Sequence, residues 1–311
     1  ICIRRSLNYL KKNRRNSYDF NSLLDDLNSK INLMLNPLKF FTHPDGKHSL
    51  FGDGSLKISP KASDLLLLTS SVKNNNEILS KDNLGSWRLD NAGFFGFKTY
   101  DSNFIYKAGQ IGAPNLPAHG HGDIFSFEWS IGFQDFIIDT GVYEYHAGEK
   151  RAYSRSTRAH NTLTIDDQDQ ADFWSSFRLG RRANVYINQK KITNNEIYIN
   201  AYHDGFSHLK GNPIHNRIIK FKSKNLDVID IVKYKNYYLN KISSRILISD
   251  NIPINENLLN RKISLGTIEK DLIISDKEIE FINHHANDLD VQDINLFWHL
   301  TLKTLNDLNI I

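Results

Sequence analysis

Between Pro117 and Asp139 the chain reads Pro-Ala-His-Gly-His-Gly-Asp-Ile-Phe-Ser-Phe-Glu-Trp-Ser-Ile-Gly-Phe-Gln-Asp-Phe-Ile-Ile-Asp. His119, His121 and Asp123 take alternate positions, and Phe125, Phe127, Trp129 and Ile131 continue the alternation. On an extended backbone this spacing lines one face with polar groups first and apolar groups afterwards. The expected element is a strand that leaves the core and enters a polar site. Asp139 closes a second apolar run, Phe136-Ile137-Ile138, and is followed by the turn-prone Thr140-Gly141. A third cluster, Arg158-Ala159-His160-Asn161-Thr162, opens the run Leu163-Thr164-Ile165. Histidines and a carboxylate at three strand ends are the donors that a borderline cation such as zinc accepts.

If His121, Asp139 and His160 hold a metal, His119 remains beside them to neutralise charge or transfer a proton. The bland alternative is a set of hydrogen-bonded sandwich histidines with a turn aspartate. Asp123 is a rival ligand, although an aspartate after His-Gly-His-Gly can equally cap the loop backbone. His119-X-His121 followed by Glu128 and Gly132 also offers a cupin-type iron site, but the gap to Glu128 is longer than that pattern has. Between Asp139 and His160 lie Tyr143, Tyr145, His146, Arg151, Tyr153, Arg155 and Arg158. A tyrosine among cations has its phenolate favoured, and an arginine fork clamps a carboxylate, so this density suggests an anionic ligand. Otherwise the segment is an exposed hairpin with packed tyrosines and solvated arginines. Glu128 and Asp135 are expected to face solvent or structural partners.

The elements that must position these groups fall into two patterns. Residues 3 to 36 read as helix, with leucines at helical spacing, a break at Asn13 to Ser17, and an end at Asn36-Pro37. His43-Pro44-Asp45-Gly46 and Gly52-Asp53-Gly54 are turn signals, and Ser59-Pro60 opens a third apolar helix through Leu65 to Leu68. From Gly85 the period changes to two, in runs such as Phe94-Phe97, Phe104-Tyr106, Val185-Ile187, Ile197-Ile199, Ile218-Phe221, Val228-Val232, Ile246-Ile248, Leu272-Ile274 and Ile279-Phe281. Many short strands with no helical pattern between them imply an antiparallel β-sandwich. The expected organisation is a helical segment over 1–72, a linker over 73–84 and the sandwich over 85–311.

Composition narrows the classes further. The 311 residues with 40% hydrophobic content can bury a sizeable core. A net charge of +4 mildly favours an anionic partner and is far from the clustered basicity of a nucleic-acid binder. Cys2, the single cysteine, excludes an intrachain disulfide and a multi-cysteine metal site. No apolar run reaches the roughly 18 residues of a spanning helix. The chain opens with Ile1 and Cys2-Ile3-Arg4-Arg5, without a signal peptide's apolar core, and is expected to be a fragment.

The runs from His119 to Glu128, from Phe136 to Tyr145 and from Arg155 to Leu163 together resemble the heparinase II/III-like polysaccharide lyases, which include related alginate lyases. Weaker likeness extends to His215-Asn-Arg-Ile-Ile-Lys-Phe, Val228-Ile-Asp-Ile, Phe41-Thr-His-Pro-Asp-Gly and Phe51-Gly-Asp-Gly. The resemblance implies a mainly β fold, an antiparallel β-sandwich preceded by the last helices of an (α/α) toroid whose beginning, with further catalytic groups, lies upstream of Ile1. It implies that His121, Asp139 and His160 bind a structural zinc, that His119 sits in the catalytic cleft, and that Tyr145 or, second, Tyr153 is the acid. Arg155 and Arg158 are the matching candidates for substrate binding. The implied reaction is β-elimination from an anionic uronic-acid polysaccharide, with periplasmic or extracellular location and association as a homodimer. The alternative is a non-catalytic carbohydrate-binding or structural sandwich stapled by zinc.

Overall fold

The computed structural model describes residues 18–62, 84–222, 225–235 and 241–250 continuously, together with residues 9, 12, 64, 65 and 239 and the segments 272–275, 278–281 and 292–300. The expected break at 13–17, most of the third helix and nearly all of the linker lie outside the described residues. Helix α1, Tyr18–Phe40, runs through Pro37 rather than stopping before it. Proline lacks an amide hydrogen but still accepts, and here its carbonyl takes the Phe41 amide at 2.9 Å. Phe40 then stacks on Trp87 at 4.8 Å, so the last turn is held by packing that local preference does not include.

The alternating runs become strands. A first antiparallel sheet has the chain order β1 (Gly85–Leu89), β2 (Phe94–Lys98), β3 (Asn103–Lys107), β4 (Phe127–Ile131) and β5 (Gln134–Ile137). The short runs Leu163–Ile165 (β6), Phe173–Trp174 (β7) and Arg178–Leu179 (β8) follow. A second sheet is formed by β9 (Val185–Thr193), β10 (Glu196–His203), β11 (Ile214–Lys222), β12 (Asn225–Tyr234) and, beyond three intervening strands, β16 (Gln292–Leu300), in the order β16-β12-β11-β10-β9. Strand β13 (Ile242–Leu247) joins β6 to the pair β14 (Leu272–Ser275) and β15 (Glu278–Phe281). Among the described residues every strand pairing is antiparallel.

The first two sheets bury their apolar faces against each other. Phe221 of β11 stacks on Phe104 of β3 at 4.3 Å and meets Trp129 of β4 edge-on at 5.3 Å. Burying such rings contributes on the order of 2–3 kcal/mol each. Along β10 the alternation is strict: Ile197, Ile199, Ala201 and His203 are buried, while Tyr198, Asn200 and Tyr202 are half-buried on the other face.

Candidate functional site

The histidine segment is not the strand that its alternation predicts. Pro117–His119 is a single 3-10 turn, residues 120–126 are irregular, and β4 begins only at Phe127. Phe125 carries a φ of 69°, which breaks any extended run at that point. The cause is a set of tertiary bonds. The Gly122 amide donates to the Arg155 carbonyl at 2.9 Å, and a Cβ at Gly122 would run into Thr157. Glycine between His121 and Asp123 therefore permits the close approach of two site segments.

The tyrosine- and arginine-rich segment likewise differs from the expected hairpin: it holds helix α2, Glu149–Arg155, and a 3-10 turn over Thr157–Ala159. Seven residues are too few to display a helical period through tyrosines and arginines. Arg151 and Arg155, expected as solvated or ligand-binding, are both 1% exposed. Arg155 donates to the carbonyls of Ser175 and Arg178 at 2.9 and 3.0 Å and to Gly120 at 3.4 Å. Through these bonds the buried guanidinium, expected to bind substrate, fastens the β7–β8 loop to the histidine segment. Arg158, by contrast, is exposed and lies over the Tyr153 ring at 5.1 Å. Both residues line an open groove of about 760 Å³ beside α2, with Tyr143, Lys150 and Asp169.

The centre of the site is a residue that sequence reasoning passed over. Asp53 accepts from His119 Nδ1 at 2.6 Å and from His121 Nε2 at 2.8 Å, and its carboxylate is forked by the Arg151 guanidinium. Burial opposes its ionisation, but the bonds from His121, Arg151 and His119 outweigh it and hold the carboxyl well below the usual range. Gly52 precedes it with a φ of 55°, and a Cβ there would press on the His119 carbonyl at 2.9 Å. Gly-Asp-Gly signals a turn in the sequence, and nothing local says that the turn is folded onto residues more than sixty positions away. The His119 ring is 58% exposed and lies edge-on to Tyr145 and Phe177, with centroids 6.4 and 5.9 Å apart. Tyr145 in turn lies 5.4 Å from Arg151. Its phenol is shifted up by partial burial and by the Asp53 carboxylate, against the pull of Arg151. The expectation of a favoured phenolate is therefore reversed for Tyr145, which keeps its proton.

His121, Asp139 and His160 are fully buried, with the two imidazole centroids 5.3 Å apart. His160 Nδ1 donates to Asp139 Oδ1 at 2.7 Å, and Ser126 donates to the other carboxylate oxygen at 2.7 Å. That leaves His160 Nε2 and His121 Nδ1 buried without a hydrogen-bond partner among the described residues. Each ring has its other nitrogen on a carboxylate, so in the neutral rings both orphan atoms present lone pairs, the arrangement that metal-binding histidines use. The donor chemistry of the two rings fits zinc. Asp139 as placed bonds His160, and among the described residues no three His, Cys, Asp or Glu side chains converge as a metal set. Asp123, the rival ligand, is buried in an ion pair with Lys107 and accepts from the Gly52 amide at 3.1 Å. Glu128, which a cupin site would need, accepts from His43 Nε2 at 2.7 Å and from the Leu50 amide at 2.6 Å. Asp135 accepts from Lys47 at 2.7 Å.

A family described as heparinase II/III-like, C-terminal, matches residues 81–236. The chain belongs to this family. A heparin-sulfate lyase of Pedobacter heparinus is 36% identical over 95 residues, covering 28% of this chain and 14% of that protein. Among solved structures, a heparinase III gene product superposes with a TM-score of 0.63 at 17% identity, over 90% of this chain and 47% of its own. Heparan sulfate lyase HepC of Pedobacter heparinus does so with a TM-score of 0.59 at 18% identity, over 92% and 48%. The structural likenesses show a shared fold, and the chain spans about half the length of these solved relatives. The family segment also contains the brace behind the site. Arg217 of β11 forks Asp230 of β12 with two bonds of 2.6 Å and donates to the carbonyls of Phe125 and Asn161 at 2.7 and 2.6 Å. His203 Nε2 meets His215 Nδ1 at 3.0 Å, and His215 Nε2 donates to Asp230 at 2.7 Å. The four side chains of the brace that titrate or carry charge, His203, His215, Arg217 and Asp230, are all buried inside the sandwich.

Proposed function

We propose that this chain supplies the β-sandwich side of the cleft of a polysaccharide lyase that cuts an anionic, uronic-acid-containing polymer by β-elimination. The observation that carries the reading is the exposed His119 and the half-buried Tyr145 standing over the buried Asp53–Arg151 fork. Asp53 fixes the Nδ1 side of His119 and leaves Nε2 as the ring's free nitrogen toward the open side. In β-elimination a base removes the proton α to the uronate carboxylate, the C4–O4 bond breaks as the C4=C5 double bond forms, and an acid protonates the leaving oxygen. Tyr145, held protonated, suits the acid step. His119 suits proton transfer or neutralisation of the enolate-like charge, with Arg158 and Tyr153 along the neighbouring groove to hold the polymer.

Zinc is part of the same reading, as a staple rather than a reactant. His121 Nδ1 and His160 Nε2 are its donors, and Asp139 is the carboxylate already bonded to His160. When bound, it would fasten the histidine segment to the strand that follows His160. Elemental analysis should find stoichiometric zinc that is lost in His121→Ala and His160→Ala; a folded protein without metal would refute the staple. Further parts of the proposal are α1 as one of the last toroid helices, a periplasmic or extracellular location, and assembly as a homodimer. Among the described residues no helix is long and apolar enough to cross a membrane.

The deciding assay uses the complete gene product on a panel of heparan-like, alginate-like and other uronate polymers, following ultraviolet absorbance of the unsaturated uronate end. Tyr145→Phe and His119→Ala should each lower the rate by about 10²–10⁴-fold. No product from any polymer, or unchanged rates in both variants, would overturn the reading and favour a carbohydrate-binding or scaffolding sandwich.

A further inference from the structure

The second sheet has another feature, on the face turned away from the core. A groove of about 530 Å³ crosses β9 to β12 there, lined by Asn188, Asn200, Tyr202, Asn216, Ile231 and Lys235 among others. Three asparagine side chains come from three adjacent strands. The row depends on a bulge: Asn200 pairs with Gln189 and Ala201 with Ile187, so Asn188 is the extra residue of β9. A bulge re-aims a side chain at the cost of ladder bonds, and bulges are over-represented beside functional sites. Asn216 Nδ2 donates to Asn200 Oδ1 at 2.7 Å and to the Ala201 carbonyl at 2.9 Å. This bond orders two amides side by side and commits only half of their donors and acceptors. Beside them Tyr202 stacks on Tyr186 at 4.9 Å with 19° between the rings, and Tyr186 is 45% exposed. The pair forms an aromatic ledge, and Lys235 stands exposed at the rim.

We infer that this groove is a second glycan-binding site, separate from His119 and Tyr145, for a short stretch of acidic oligosaccharide. Paired amides offer a donor and an acceptor together, as adjacent sugar hydroxyls require, and a flat aromatic ledge accepts the apolar face of a pyranose ring. The rim lysine selects for negative charge. The inference does not rest on the lyase reading.

The test titrates the full chain calorimetrically with a heparin-derived hexasaccharide and with neutral maltohexaose, using the parent, Asn188→Ala/Tyr202→Ala and His119→Ala. The parent should bind the acidic hexasaccharide saturably. The groove variant should bind it about tenfold more weakly, as expected for loss of a ring stack and an amide contact. His119→Ala should bind like the parent at this site, and the groove variant should keep the parent's lyase rate on short substrates. Asn188→Ala alone, at an exposed position, guards against misfolding of the double variant and should show part of the same loss. Absence of saturable binding by the parent, unchanged affinity in both groove variants, or equal affinity for maltohexaose would each overturn the proposal.

Discussion

Replacing Arg217 by methionine should be among the most damaging changes available to this chain. The substitution keeps the length and apolar body of the side chain and deletes a guanidinium that is completely buried. Asp230 would keep His215 and Ser244 as partners but lose both 2.6 Å charge-assisted bonds. Two buried carbonyls, Phe125 and Asn161, would lose a donor at the same time. Breaking a buried ion pair costs about 3–5 kcal/mol and each stranded carbonyl about 1–3 kcal/mol; these overlap, so a total near 5 kcal/mol is expected. That is comparable with the entire stability of many domains, about 5–15 kcal/mol. Urea unfolding at pH 7 measures it, and Arg217→Lys should lose less, because it retains the charge without the fork. The pH dependence adds a separate check. In the parent, burial pushes the Asp230 carboxyl up, but Arg217 and then His215 hold it well below its usual range. Its contribution is therefore present above the unfolded carboxyl value of about 4 and is lost as pH falls below it. Without the guanidinium, burial dominates and the folded carboxyl takes up a proton above that value, so the deficit should be largest at pH 7 and narrow toward pH 4. A methionine variant within about 1 kcal/mol of the parent, or a deficit that widens on acidification, would refute the argument.

Other consequences follow from the same geometry. Asp53→Ala leaves Arg151 buried without its carboxylate and should cost about 3–5 kcal/mol by urea unfolding, while Asp53→Asn retains part of the bonding and should cost less. Phe221→Ala removes the ring between Phe104 and Trp129 and should cost about 3–5 kcal/mol in the same assay. Burial first, and then the neighbouring His215 and Arg217, lower the His203 pKa well below its usual value; its neutral form is the folded one, so stability present above about pH 6.5 should fall by up to about 1.4 kcal/mol per pH unit on acidification. Thermal melts of His203→Gln should show a shallower slope across pH 6.5 to 5 than the parent's.

The strands were readable because a two-residue period is imposed by burial on one face, and every run named from the sequence lies in or against a strand of the structure. The nearness of His160 to Asp139 and to His121 was also legible, since these residues stand near the ends of apolar runs and such ends converge in a sandwich. Elsewhere local pattern was overruled by contacts from far along the chain. The alternation of His119, His121 and Asp123 mimics a strand, but bonds to Asp53, Lys107 and Arg155 fold it into a loop. Arginines 151 and 155 look solvated in sequence because their partners, Asp53 and a row of carbonyls, come from other loops. For Glu128 the sequence left solvent and structural partners both open, because its partners, His43 and the Leu50 amide, reach it from the segment after α1.

The carbonyls of Phe125 and Asn161 belong to the two loops that carry His121 and His160, and one guanidinium from β11 holds both. The histidine loops are thus not interchangeable ornaments on a generic sandwich. A chimera that moved only residues 117–139 and 155–165 onto another β-sandwich would leave those carbonyls facing apolar strands, and the loops would settle elsewhere. The smallest portable unit includes β11 and β12. By the same logic, divergence among descendants of this scaffold should concentrate at rim positions such as Tyr145 and Arg158, where a change does not pull on the brace.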